Sequence, residues 1–308
     1  YLFINLKMKK SHSMICAIVV TFIWGTAFVA QDTGMDNIGP LTFNTSRFFI
    51  GFISILPFAI IFEKKKIIEE IKKNFKLFVK FWFLMGISLF LGTYLQQASL
   101  QYTNIANAAF FTVFYVPLVP ILLYFIYSEK THWSIWPSIG LCVIGVYFLS
   151  DFSDTKIMKG DSLVILCSIF WALHIIFAGK FMEIFNIPIF YAALQSLFVG
   201  LMSFIFAATF EEIVISKILL EIDSLLYAGV LSGGIAFTLQ MYAQKNIEEA
   251  PAAIIYSLEG VFAALAAWIL LTQILDFNNI LGCFLILMAV LLSQLAPGKK
   301  RLNINNKE

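Results

Sequence analysis

Two charged side chains stand where a sequence this apolar has little reason to place any. Arg47 and Glu259 fall deep inside long hydrophobic runs, whereas the other 38 of the 40 charged residues lie in connections, at run ends or in tails. A charge at the centre of a membrane helix costs about 2.5–3.5 kcal/mol on insertion scales, so something must offset it. Arg47 follows Pro40 by seven residues and Glu259 follows Pro251 by eight. At the helical rise those spacings are roughly 10 and 12 Å, which brings both charges toward the midplane from opposite sides. Two readings fit. The charges pair or anchor to carbonyls to fix packing, or they face a cavity and hold a substrate or coupling ion. A guanidinium suits a carboxylate or other anion; a carboxylate suits a cation, an amine or a proton.

The residues around them extend both readings. Asn44, Arg47 and Gly51 share one face at helical spacing, and Tyr256 shares a face with Glu259. Gly92, Gln96 and Ser99 form one stripe, and Ala236, Gln240 and Ala243 form another. Small residues let helices approach closely, and each glutamine amide then serves an interhelical hydrogen bond or a cavity wall. His174 follows Trp171 by three residues; it is a packing residue or a proton-coupling group. Trp24 and Trp171 are packing residues or the floor and ceiling of a ligand cavity. Pro117 and Pro120 are expected to kink their helix. No catalytic pattern is present: there is no Walker A loop, no paired His at metal spacing, no Gly-x-Ser-x-Gly and no intramembrane acid dyad. Cys16, Cys142, Cys167 and Cys283 all sit in apolar runs and offer neither a disulfide framework nor a CxxC site. The expectation is therefore a protein without enzyme activity, cofactor or metal.

The elements that must carry these residues are membrane helices. Of 308 residues 60% are hydrophobic and only 13% charged, and mean hydropathy is +0.86. That composition excludes an ordinary soluble domain and a disordered chain. Unbroken apolar runs argue against a β-barrel, whose strands alternate in polarity. A net charge of +2 supplies no basic field for nucleic acid. Ten spans are expected, at 14–31, 41–62, 81–99, 106–127, 133–150, 161–179, 188–208, 224–243, 251–272 and 279–296. With both termini cytoplasmic, 17 of the 21 Lys and Arg residues fall on the inner side and three on the outer. That asymmetry follows the positive-inside rule and points to a multi-pass protein of a bacterial-type inner membrane. The longest connection, 63–80, is Lys-rich and cytoplasmic; it sets topology or forms a surface helix on the anionic leaflet. Residues 1–13 read as a cytoplasmic tail, with 1–7 preceding a more natural start at Met8, and 297–308 as a second cytoplasmic tail.

The two halves, 14–150 and 161–296, look alike. Trp24 corresponds to Trp171, Pro40 to Pro188 and Gly140 to Gly282. At an offset of 144, Ser88, Leu95, Gln96, Ala106, Ala108 and Ala109 recur as Ser232, Leu239, Gln240, Ala250, Ala252 and Ala253. Five spans per half is an odd number, so the second half enters the membrane inverted, an arrangement suited to alternating access around a midplane site. The fold expected is an all-α membrane protein of ten helices in two inverted five-helix repeats.

The chain resembles the EamA-type, ten-span branch of the drug/metabolite transporter superfamily over both halves. The resemblance rests on Trp24-Gly25-Thr26-Ala27-Phe28, Arg47-Phe48, Ala98-Ser99-Leu100-Gln101-Tyr102-Thr103 and Asn107-Ala108-Ala109-Phe110, then Ala243-Gln244-Lys245 and Ser257-Leu258-Glu259-Gly260-Val261-Phe262-Ala263. Gly260 stands where similar proteins usually carry Pro. The resemblance implies a secondary transporter, most often an exporter of amino acids or other small metabolites. A proton is a candidate coupling ion. Uptake on the same scaffold is the alternative. A non-transporting receptor or assembly protein is the alternative of another class, disfavoured because no large polar domain or long loop is present.

Overall fold

The computed structural model describes residues 10–103, 105–149, 159–271 and 275–296. Every regular element among them is helical. The first half holds α1 (Lys10–Thr33), α2 (Pro40–Lys73), α3 (Phe75–Ser99), α4 (Ile105–Thr112), α5 (Tyr115–Tyr127) and α6 (Ile135–Leu149). The second holds α7 (Lys159–Ile184), α8 (Pro188–Phe210), the short α9 (Ile215–Leu220) and α10 (Ile222–Leu226), and a π-helix (Tyr227–Ala236). It continues with α11 (Phe237–Gln244), α12 (Glu249–Tyr256), α13 (Leu258–Leu271) and α14 (Phe277–Ser293). Among the described residues eight stretches are long and apolar enough to cross a membrane, while α6 and α14 are apolar but shorter, at 15 and 17 residues. Large apolar side chains such as Ile53, Phe125 and Phe210 point outward, as expected where lipid is the solvent.

Helix starts follow the local chemistry. Pro40 and Pro188 open α2 and α8 at a first-turn position that has no amide partner to lose. The Lys-rich connection expected at 63–80 is itself helical. α2 runs on to Lys73, Asn74 alone interrupts, and its side chain caps α3 by accepting from the Leu77 amide at 3.1 Å. The run Lys-Lys-Lys-Ile-Ile-Glu-Glu-Ile-Lys-Lys is rich in helix formers and carries a Glu70–Lys73 pair at 2.6 Å one turn apart.

Two spans are broken near their centres. α4 stops at Thr112 and α5 restarts at Tyr115. Pro117 has no amide for the Val113 carbonyl, and its ring crowds that carbonyl, so the expected kink becomes an interruption. Pro120 is carried inside α5. α12 stops at Tyr256 and α13 restarts at Leu258, although Gly260 replaces proline. Here Ser257 bonds back to the Ile254 carbonyl at 2.6 Å and takes the Cys142 thiol at 3.1 Å, a competition that bends helices. Val113 and Ser257 are 144 residues apart.

The halves interlock through matching contacts. Just past α8, Glu211 accepts from the amides of Leu41 and Thr42 at 2.9 and 2.8 Å and from the Thr42 hydroxyl at 2.7 Å. In return Glu63 of α2 accepts from the amides of Ile189 and Phe190 at 3.3 and 2.8 Å. Each carboxylate caps the start of the other's helix. Within each half a matching bond recurs: Gln97 donates to the Gln31 carbonyl and Gln244 to the Ile175 carbonyl, both at 2.7 Å. α6 packs on α14, with Gly145 and Gly282 each meeting the other helix's backbone. Gly140, matched to Gly282 in sequence, faces open space instead.

Several acids expected to meet water or set topology are buried and bonded. Glu63, Glu70, Asp161, Glu221 and Glu249 are each less than 9% exposed. Asp161 accepts from Thr103 at 2.6 Å, and Glu221 holds Asn37 through its amide and side chain. Lys180, counted as a topology-setting charge, is likewise buried.

Candidate functional site

A cavity lies where the two helix breaks meet. It is lined by Trp24, Phe28 and Gln31 of α1, Arg47 and Phe48 of α2, and Thr93 and Gln96 of α3. Thr112 and Tyr115 flank the first break, Tyr256 and Glu259 the second. Trp171 and Ile175 of α7, with Ser232, Gly233 and Phe237, complete it.

Arg47 is held from behind. Its Nε donates to Asn44 Oδ1 at 2.8 Å, one helical turn earlier. Its guanidinium carbon lies 4.9 Å from the Phe48 ring centre and 5.5 Å from that of Phe43, so cation–π attraction offsets part of the burial cost. The two terminal nitrogens are left for the cavity. The backbone permits this through close packing. A Cβ on Gly51 would stand 3.0 Å from the Gly229 carbonyl oxygen, and Gly229 faces the Arg47 carbonyl. Gly229 belongs to the π-helix, whose Gly233 carbonyl accepts from Ser196 at 3.1 Å. Wide π turns are frequent at functional sites.

Glu259 enters from α13, one residue past its start. It is 7% exposed, and among the described residues no ion pair joins it to Arg47 or any other base. The cavity thus holds one guanidinium and one carboxyl group, both buried and, among the described residues, neither in an ion pair. Three of the lining residues carry a buried polar atom with no partner among the described residues: the Trp171 Nε1–H and the hydroxyls of Tyr115 and Tyr256.

Of the residues singled out in sequence, Arg47, Glu259, Gln96, Trp24, Trp171 and Tyr256 line this cavity. Gln96 donates to the Thr112 hydroxyl at 3.3 Å. Trp24 and Trp171 touch, at 6.1 Å between ring centres, so they form one wall rather than a floor and ceiling. Trp24 also packs edge-on against Tyr256 at 5.6 Å. Asn44, His174 and Gln240 are buried outside the lining. Asn44 supports Arg47. His174 Nε2 bonds Gln195 Oε1 at 3.0 Å, behind the Trp171 and Phe237 rings. Both polar atoms of Gln240 lack partners. Sequence reasoning missed Tyr115 and Thr112. The repeat could have found them: at the offset of 144, Tyr115 is the counterpart of Glu259 and Thr112 of Tyr256. Among the described residues no three His, Cys, Asp or Glu side chains converge as a metal-binding set.

Comparison with known proteins adds the following. The model of the EamA-like transporter family matches residues 12–151 and again 158–295. The chain is 32% identical over 291 residues to an uncharacterized transporter of Archaeoglobus fulgidus, covering 94% of this chain and 87% of that one. It is 25% identical over 297 residues to the uncharacterized transporter YoaV of Bacillus subtilis, covering 94% and 98%. A solved crystal structure superposes with a TM-score of 0.73 at 14% identity, covering 92% of this chain and 98% of the other; that likeness speaks to fold alone.

Proposed function

The chain belongs to the EamA-like transporter family, and from that premise we propose that it exports a small zwitterionic or amphipathic metabolite, an amino acid or related compound, by alternating access. The membrane is a bacterial-type inner membrane with both termini cytoplasmic, as the lysine distribution suggests. The observation that carries the substrate class is a buried guanidinium and a buried carboxyl group lining one cavity, with no ion pair to either among the described residues. Arg47 takes the substrate's carboxylate or other anionic group, and the Trp171 N–H adds a donor. Glu259 takes its amine or a coupling proton. Trp24, Tyr256 and Phe48 present ring faces to an apolar body or an ammonium. Gln96 and Tyr115 hydrogen-bond the remainder. Asn44 orients Arg47, and His174 and Gln240 form a buried polar layer behind the wall.

The architecture we assign is ten spans in two inverted repeats, 14–150 and 161–296. Three features support it: two consecutive family matches, helix breaks at a common offset, and reciprocal contacts such as the Glu63 and Glu211 caps. α6 and α14 serve as short spans. At the helical rise they reach only about 22–26 Å against about 30 Å of hydrocarbon, a mismatch that local bilayer thinning absorbs. Broken helices at the midplane are the usual device for placing backbone dipoles beside a substrate.

The test is reconstitution in vesicles, with labelled amino acids, nucleobases and quaternary amines screened with and without a proton gradient. Flux of a zwitterion that is lost in correctly inserted Arg47→Ala and Glu259→Gln proteins is expected. Normal flux of the true substrate in both variants would overturn the site, and substrate accumulation against its gradient toward the cytoplasmic side would reverse the direction.

A further inference from the structure

We propose that the end of the bundle where α7 passes into α8 is a closed gate locked by Lys180; this rests on the transporter reading above. The cavity occupies one side of the bundle. On α3 its lining residues are Thr93 and Gln96, near the end of that helix. Fifteen residues earlier, about 22 Å along the axis, Phe78 begins an apolar plug. Phe78, Phe81, Phe181, Phe185 and Tyr191 are all buried. Their rings are in mutual contact: Phe181 stacks on Tyr191, Phe78 meets Phe185 and Tyr191 edge-on at 5.7 and 5.8 Å, and Phe81 meets Phe181 at 6.2 Å. The plug begins six residues beyond Ile175 of the cavity wall, along α7. It leaves no polar surface for a charged solute.

Lys180 adjoins Phe181 and ties the plug to both broken spans. Its Nζ lies 2.6 and 2.7 Å from the Glu129 carboxylate oxygens, 3.3 Å from Glu183 and 3.9 Å from Glu249. It also stands 5.4 Å from the Tyr127 ring centre. Tyr127 ends α5, which starts at the first break, and Glu129 follows two residues later; Glu249 begins α12, which ends at the second. Opening this end requires α7 to part from α5 and α12, and so to break the ammonium's bonds. The Tyr191 hydroxyl, buried without a partner, gains one once the plug separates and water enters.

The opposite end, among the described residues, has no buried ammonium; there Glu221 holds Asn37 through its amide and side chain at 3.0 and 2.6 Å. At offsets of 147 and 148 the counterparts of Phe78, Phe81 and Tyr191 are Leu225, Ala228 and Phe43, which with Ile38 form a small cluster. The counterpart of Lys180 is Thr33, which meets the Ser224 hydroxyl at 3.2 Å.

Amide hydrogen exchange of the full chain in lipid nanodiscs tests this without a known substrate. In Lys180→Gln, exchange at 75–82 and 181–192 is expected to rise severalfold while exchange at 34–44 and 221–228 stays near wild type, because the closure there does not involve Lys180. Lys180→Arg is expected to stay near wild type. Should Lys180→Gln not fold, Glu129→Gln, which alters the more exposed partner, is expected to give a smaller shift in the same sense. Faster exchange at both ends, which is plain loosening, or no change at either, overturns the gate. Because no transport is measured, these outcomes are independent of whether the zwitterion reading stands.

Discussion

Asn44 decides what Arg47 is able to do. A bond from a charged donor is worth about 1.5–3 kcal/mol, and this one spends only Nε, so the planar end of the guanidinium is aimed rather than consumed. Asn44→Leu is expected to lower the thermal midpoint of the purified protein and raise the apparent KM for transport about tenfold, with Arg47 still present. Asn44→Asp is expected to keep the fold but abolish flux, because the new carboxylate neutralises Arg47 in place. Vesicle uptake and a melting curve on the two variants separate these outcomes; equal behaviour of both would mean that Asn44 is only filler. Arg47 and Glu259 were legible in the sequence because charge inside an apolar run is rare. Lys180 was not, because its partners Glu129 and Glu249 are distant in sequence and each one reads as a polar residue at a helix end.

Helices in this fold are capped by carboxylates from other helices. Glu63 and Glu211 each satisfy amides that the first turn of a helix leaves open, and they place negative charge where the helix dipole favours it. An N-terminal cap is worth about 0.5–2 kcal/mol. Glu211→Ala is therefore expected to speed exchange of the Leu41 and Thr42 amides, and Glu63→Ala that of the Ile189 and Phe190 amides, more than 100 residues from each substitution. Faster exchange confined to the mutated residue's own neighbours would show that the caps carry no load. Hydropathy marked the helices well, since a run of apolar residues needs no partner to be recognised. It ended the second span at 62 and left a surface helix in 63–80 as one of two readings, whereas α2 runs on unbroken to Lys73, where charged residues continue a helix as readily as apolar ones. It missed the interruption at Ser257, because a serine hydroxyl breaks a helix only where its surroundings let it bond backward. The π-helix had no signal beyond its glycines.

At the scale of the molecule, the halves are not separate bodies. α2 packs on α8, α3 on α7, α1 on α11 and α13, and α6 on α14, so the most extensive helix packing among the described residues lies between halves. Cutting the chain between residues 151 and 158 is expected to give two fragments that assemble and transport when co-expressed, whereas either alone fails to insert stably. Co-purification of tagged halves checks this; a lone half that is monodisperse and protease-resistant would contradict it. The repeat was readable from Trp24 and Trp171, the two prolines and the common offset. The contacts that join the halves were not, since no single sequence spacing encodes them.

Two ends that correspond in sequence are thus closed by different material, five aromatic rings and a buried ammonium at one, a small cluster around Phe43 and Leu225 at the other. In the proposed alternating-access cycle, conformers that exchange these closures are therefore expected to differ in free energy. Detailed balance forbids that difference from moving the gradient at which net flux stops. If the chain works by the proposed alternating access, the difference is expected in kinetics: unequal half-saturating concentrations measured from the two faces, and an empty carrier that waits longer with one face open than with the other.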